Sequence, residues 1–162
     1  MSDAGAKMKF KKGQARGLRI AVLQALFNSE YTSALEASAI KRLRALGAQT
    51  MDLTRAKVPG AFELPLAAKE FAATNQYDAV ICIGAVIRGD TNHYYLVCEA
   101  AASGVLRAGL DTGVPVIFGV ITCDTRSQAL ERCSGGPKDA GIHAAEAALH
   151  MALLMKVLRR GN

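Results

Sequence analysis

Tryptophan is absent from this chain and aromatics are few, while alanine abounds, so its helices should pack closely through small side chains. No two of its four cysteines, Cys82, Cys98, Cys123 and Cys133, have Cys-x-x-Cys spacing, and no histidine pair lies near them. Cys82 and Cys123 fall within apolar runs, where a reduced thiol acts as a small hydrophobe. Neither disulfides nor a metal site are expected. The basic N-terminus has no apolar h-region of a signal peptide, and no apolar run looks long enough to cross a bilayer. A reducing, cytoplasmic location without membrane contact is the expectation. Also missing are the Gly-x-x-x-x-Gly-Lys-Ser/Thr loop of nucleotide triphosphatases and the Gly-x-Gly-x-x-Gly of dinucleotide binders. No Gly-x-Ser-x-Gly elbow marks a serine hydrolase, and no carboxylate cluster suggests magnesium.

What is present narrows the answer. A chain of 162 residues suffices for one domain with a real core and is too short for two. Its net charge is +6, and Lys7, Lys9, Lys11, Lys12, Arg16 and Arg19 crowd the first residues among glycine and alanine. Only Phe10 is aromatic there, and no nucleic-acid fold follows. Residues 1–17 are therefore expected to be a flexible basic tail, solvated or touching a subunit instead of nucleic acid. Residues 18–160 then form the single domain.

Within it, Leu18–Leu23 predicts a first strand and Tyr31–Leu46 a helix that Gly47 ends. Gln49–Val58 alternates as an edge strand should, Pro59-Gly60 breaks it, and Leu64–Ala73 predicts a short helix. Ala79–Ile87 and Val114–Cys123 are nearly continuous apolar runs, the pattern of strands covered on both faces. Helices are predicted over Thr91–Leu110, from the caps Asp124 and Thr125 to Arg132, and from Asp139 to Arg160. This alternation predicts a flavodoxin-like α/β sandwich, a four-stranded parallel sheet with helices on both faces. The last helix carries two apolar stripes. Ile142, Ala145, Leu149, Leu153 and Val157 suit the sheet, and Met151, Leu154, Met155 and Leu158 suit a neighbouring chain.

Ligands of such sheets bind at the carboxyl ends of the strands. There the sequence places Phe27, then Ala61-Phe62-Glu63, then Asp90-Thr91-Asn92-His93, then Asp124-Thr125, with Arg132 following. The run Gly84–Cys98 is an apolar strand, a Gly-Asp-Thr loop and a histidine opening a helix, whose N-terminus offers free N–H groups to phosphate. An imidazole there suits proton transfer near neutrality. One histidine, one arginine and a few aromatics suit metal-free condensation of a planar heterocycle with a small phosphate ester. Local alternatives remain at this level, such as core aromatics, a helix-capping Glu63 and an Arg132 answering the helix dipole.

Phe27-Asn28, Val58-Pro59-Gly60-Ala61-Phe62-Glu63-Leu64-Pro65, Gly84–His93 and Asp111–Val120, followed in register by Glu131-Arg132, together resemble the 6,7-dimethyl-8-ribityllumazine synthases of riboflavin biosynthesis. The resemblance spans nearly all of Leu18–Leu154. It implies a cofactor-free condensation of 5-amino-6-(D-ribitylamino)uracil with 3,4-dihydroxy-2-butanone 4-phosphate. Phe27 would stack on the pyrimidine, and Ala61, Phe62 and Glu63 would hold the ribityl chain. Ala85, Val86 and Ile87 would present backbone groups to the uracil edge. Asp90 and Thr91 would donate to the phosphate, with Arg132 as its cation and His93 as a helpful but dispensable proton shuttle. Phe118 would reach the site of an adjoining subunit in a homopentamer, and an icosahedral shell of roughly 60 chains is the alternative assembly.

One stretch departs from the family pattern. Relatives carry two lysines after the arginine, where this chain reads Cys133-Ser134-Gly135-Gly136-Pro137-Lys138-Asp139-Ala140-Gly141, with Lys138 between the two positions. Pro137 should stiffen this loop and favour the pentamer. A non-catalytic flavin or lumazine carrier and a shell-forming homologue are the alternatives, and the presence of His93 and Arg132 weighs against them.

Overall fold

The computed structural model describes residues 9–161. Its strands are β1 (Ile20–Ala25), β2 (Leu53–Val58), β3 (Ala79–Ile87) and β4 (Val116–Cys123), all parallel, in the order β2-β1-β3-β4. The helices are α1 (Ser29–Ala45), α2 (Leu64–Ala73), α3 (His93–Thr112), α4 (Arg126–Glu131) and α5 (Ala140–Arg160). Every residue of β1 is buried, and its side chains alternate between two cores. Ile20 and Val22 meet α1 and α5, whereas Ala21, Leu23 and Ala25 meet α2 and α3. This is the three-layer α/β sandwich that the alternation predicted.

Small side chains set the helix spacing. A Cβ on Gly141 of α5 would lie 2.1 Å from the Leu35 carbonyl oxygen of α1, and one on Gly104 of α3 would lie 2.6 Å from Cβ of Pro65 in α2. The alanine-rich composition thus becomes close helix contact on both faces. Buried polar groups are all partnered among the described residues. Gln24 donates to the Thr32 hydroxyl at 3.1 Å and the Ser33 hydroxyl at 2.9 Å. The buried Glu36 carboxylate receives two bonds from the Arg55 guanidinium.

Several boundaries and packings differ from expectation. The region before β2 opens with a 3-10 turn, Thr50–Asp52, and only Leu53–Val58 is strand. The β4 run is not covered on both faces, because it forms an edge of the sheet and leaves Phe118 40 % exposed. Continuous apolarity says that a strand is shielded, not that its own chain supplies the shield. Of the expected flexible tail, residues 1–8 lie outside the described residues, but 9–17 pack against the domain. Ala15 is buried, and the N–H groups of Gly13 and Ala15 donate to the Leu46 carbonyl at 2.9 and 3.0 Å.

Helix α5 buries Ala144, Ala145, Ala148, Leu149 and Ala152, while Val157 of its first predicted stripe is exposed. It is also long and apolar enough to cross a bilayer by length and composition, with a mean hydropathy of 1.2, which the sequence reading missed. Its buried alanines belong to the α1 and sheet core.

All four thiols have their acidity reduced by burial, most of all Cys82, whose pKa is pushed up to about 12. At that value only about one molecule in ten thousand is thiolate at pH 8. Ellman's reagent at pH 8 should therefore leave Cys82 untouched in the native chain and titrate it promptly in urea. Rapid native labelling at Cys82 would contradict the burial.

Candidate active site

All four strands end at one edge, and the connections that leave it carry most of the predicted residues. Past the end of β1, the Leu26 and Phe27 N–H groups still donate to the carbonyls of Val58 and Pro59, at 2.9 and 3.0 Å. This extension holds Phe27 out from the sheet, 72 % exposed. Asn28 then turns the chain with a left-handed φ of 56°, a conformation asparagine tolerates better than most residues. Its side-chain amide donates to the Ala85 carbonyl at 2.8 Å and ties the end of β1 to β3.

Beside Phe27, the turn Ala61–Glu63 follows Gly60. A Cβ on Gly60 would lie 2.9 Å from Cδ2 of Phe27 and 3.1 Å from Oε2 of Glu63. The ring and the carboxylate therefore stand together over Gly60, and a side chain there would have to push the ring aside. The backbone of Gly60 is extended (φ −148°), so the demand is for space and not for conformation. Phe62 is 60 % exposed, whereas Ala61 is buried and can offer only its backbone. Gly60→Ala is expected to displace the Phe27 ring and raise KM for a ring substrate about tenfold, with little change in Tm. Steady-state kinetics with an unchanged KM would refute this.

Pairing of β3 with β1 stops at Gln24 and Ile83, while its pairing with β4 continues to Ile87 and Cys123. The Arg88 N–H donates to the Cys123 carbonyl at 2.9 Å, so alternation aims the Val86 peptide groups at β4. Those of Ala85 and Ile87 face the other way, where β1 has ended. Asn28 takes the Ala85 carbonyl, and Ile87 is left as an edge of main-chain polar groups for a ligand.

Asp90, Thr91, Asn92 and His93 are all exposed and lead into α3. No side chain caps this helix from Asn92, and the Thr91 hydroxyl accepts from the His93 N–H at a long 3.4 Å. The first turn thus keeps donor capacity for an anion. At the next strand end Thr125 caps α4 by accepting from Gln128 N–H at 3.2 Å. Arg132, half-buried at the C-terminus of α4, donates to the Gln128 carbonyl at 3.1 Å. It follows directly on α4, the short helix that leaves the end of β4.

The departing loop is tightly held. Asp139, fully buried, accepts from Gly135 N–H (2.8 Å), Ile142 N–H (3.0 Å) and the Ser38 hydroxyl (2.9 Å). Lys138 pairs with Glu131 at 2.6 Å and keeps that carboxyl below its ordinary range. The topology therefore puts Phe27, Ala61, Phe62, Glu63, Ala85, Val86, Ile87, Asp90, Thr91, His93 and Arg132 at or beyond the carboxyl ends of the strands. Phe118 is not among them. It lies level with Cys82, five residues before the end of β4, or about 16 Å down the strand. Among the described residues, an open groove of about 460 Å³ lies elsewhere, between α1 and the start of β2. The candidate edge is instead an open surface. Sequence reasoning missed two braces, the Asn28 amide and the Arg88 side chain, since neither shows in any periodicity.

Fold and edge together define a class: a flavodoxin-like α/β protein whose strand ends carry aromatic, imidazole, carboxylate and guanidinium groups around free main-chain donors. A family model described as 6,7-dimethyl-8-ribityllumazine synthase matches residues 17–156, and the chain belongs to that family. A protein of that name from Desulfosudis oleivorans is 43% identical over 146 residues, covering 90% of this chain and 93% of its own. One from Salinibacter ruber is 45% identical over 142 residues, covering 88% of this chain and 91% of its own.

Proposed function

We propose that this chain condenses 5-amino-6-(D-ribitylamino)uracil with 3,4-dihydroxy-2-butanone 4-phosphate, forming 6,7-dimethyl-8-ribityllumazine and releasing phosphate and water in riboflavin biosynthesis. The observation that carries the reading is that family membership runs through every strand end, where the groups this chemistry needs are found together.

The pyrimidine stacks on Phe27, with its polar edge on the exposed peptide groups of Ile87 and the neighbouring β3 backbone. The ribityl hydroxyls lie along Ala61 and Phe62, and Glu63 accepts from them. Arg132, the first-turn N–H groups of α3, the Asp90 main-chain N–H and the Thr91 N–H and hydroxyl hold the phosphate. The pyrimidine amine attacks the ketone carbon, and the carbinolamine loses water to give an imine. Phosphate then leaves as the adjacent carbon loses a proton, and the ribitylamino nitrogen closes the ring with loss of a second water. His93 takes up and returns protons in these steps, worth on the order of 10²–10⁴ in rate. Arg132 stabilises charge gathering on the departing phosphate. Holding two substrates in register contributes most, because a bimolecular step becomes effectively unimolecular.

The chain acts as a homopentamer in this reading. Support comes from the open edge and from the Phe118 side chain, which stands half-exposed too far down β4 to serve its own site. Exposed Leu66, Leu106, Leu110 and Val157 add apolar surface for neighbours. A cytoplasmic location agrees with four free thiols. Mixing the purified chain with both substrates and following lumazine absorbance and fluorescence tests the function; no product above the uncatalysed background overturns it.

A further inference from the structure

We infer that Arg88 is a positioning residue that clamps the phosphate half of the site, an inference resting on the function proposed above. The Arg88 side chain bridges the two connections that flank that half. Its Nε lies 2.6 Å from Oδ1 of Asp124, which opens the connection from β4 to α4 and Arg132. One Nη donates to the Tyr95 hydroxyl at 2.5 Å. The guanidinium carbon lies 5.0 Å from the centroid of the Tyr94 ring and 4.8 Å from that of Tyr95. The two rings meet edge to face at 5.3 Å. On the main chain, the Arg88 N–H extends the β3–β4 ladder by bonding the Cys123 carbonyl.

The consequence is geometric. The anion-handling segment Gly89–His93 leaves the sheet at Arg88 and enters α3 just before Tyr94 and Tyr95. The Arg88 side chain reaches across that span and ties its far end to its origin. The same guanidinium reaches Asp124, whose N–H is held in turn by the Gln128 side chain at 2.8 Å. Gln128 also receives the Arg132 guanidinium on its carbonyl. Arg88 therefore sets the separation between the loop donors and Arg132, the two sides of a phosphate. Its Nε and one Nη are engaged by Asp124 and Tyr95, and it acts on the site through these contacts. A planar fork stacked on two rings suits this task; an ammonium does not.

The test is steady-state kinetics of Arg88→Met and Arg88→Lys with each substrate varied, together with competitive inhibition by inorganic phosphate. In Arg88→Met, KM for the butanone phosphate and the inhibition constant of inorganic phosphate should each rise about tenfold, with KM for the pyrimidine changing less than about twofold. Arg88→Lys should recover only part. Unchanged constants, or equal rises in both KM values, would overturn the clamp. Should Arg88→Met fail to fold, Tyr95→Phe removes one donor contact and should give the same selective shift, about two- to threefold. A parent chain that forms no lumazine overturns the functional reading alone. The clamp then stands on calorimetric titration with inorganic phosphate, sustained by about tenfold weaker binding in Arg88→Met and overturned by equal binding.

Discussion

Arg132→Ala should lower kcat/KM for the condensation on the order of 10²–10³-fold, the usual loss when one preorganised charge partner is removed from a developing anion. The fold should tolerate the change. Arg132 follows the last residue of α4, its side chain donates to the Gln128 carbonyl alone among the described residues, and its backbone carbonyl keeps the bond from Ala140 N–H at 2.8 Å. The thermal midpoint should therefore move by only a few degrees. The defect should fall on phosphate departure, so kcat drops and KM for the butanone phosphate rises while the pyrimidine KM stays close to its parent value. Arg132→Lys should restore part of the rate, since an ammonium supplies charge without the bidentate fork. His93→Ala should be milder and retain measurable turnover, because substrate orientation survives it. An Arg132→Ala enzyme with parental kcat/KM would remove this residue from the chemistry.

Asp139→Ala should destabilise the chain by on the order of 3–5 kcal/mol, the largest stability effect expected of any single substitution in the loop before α5. Three donors converge on a carboxylate with no solvent exposure. Alanine removes the cap of α5 and leaves the Gly135 and Ile142 N–H groups and the Ser38 hydroxyl without an acceptor. It also severs a link between α5 and α1 beside the closest helix contact, where Gly141 lies against the Leu35 carbonyl. The midpoint of thermal unfolding should fall by about 10–15 °C for a domain of this size. Asp139→Asn, which keeps one acceptor oxygen, should lose less. A loss below about 1 kcal/mol in urea titration would show that water replaces the carboxylate. The same carboxylate explains how this loop keeps its shape despite its departure from the family pattern. Its anchor is Asp139 and not Lys138, which is engaged with Glu131.

Much of this was legible in the sequence because it rests on local rules. Ala79–Ile87 and Leu64–Ala73 have the predicted bounds, since a doubly covered strand and a proline-started helix announce both ends. The strand-end residues were legible for the same reason: in a parallel sheet, chain order alone places them on one edge. What was not legible depends on contacts across long stretches of chain. Residues 9–17 look disordered by composition, yet Gly13 and Ala15 find the Leu46 carbonyl, an acceptor left over at the end of α1. The exposed edge of β4 was hidden because strand order is not written in the apolarity of one strand. Arg88 reads as one more surface cation until Asp124 and the two tyrosines are placed around it.

The bare α-carbon of Gly60 has a consequence for how this chain can vary. Its backbone angles would accept any residue, so what excludes a methyl group is the ring of Phe27 and, a little farther off, the Glu63 carboxylate. The restriction therefore belongs jointly to residues 27 and 60, which the chain brings together from separate strands. Substitution at either alone damages the binding surface, whereas a smaller residue at 27 relaxes the ban at 60 without repairing the lost stacking. The order of change therefore matters: filling the glycine costs binding while the ring is present and little once the ring is gone, and a ring restored over alanine returns displaced.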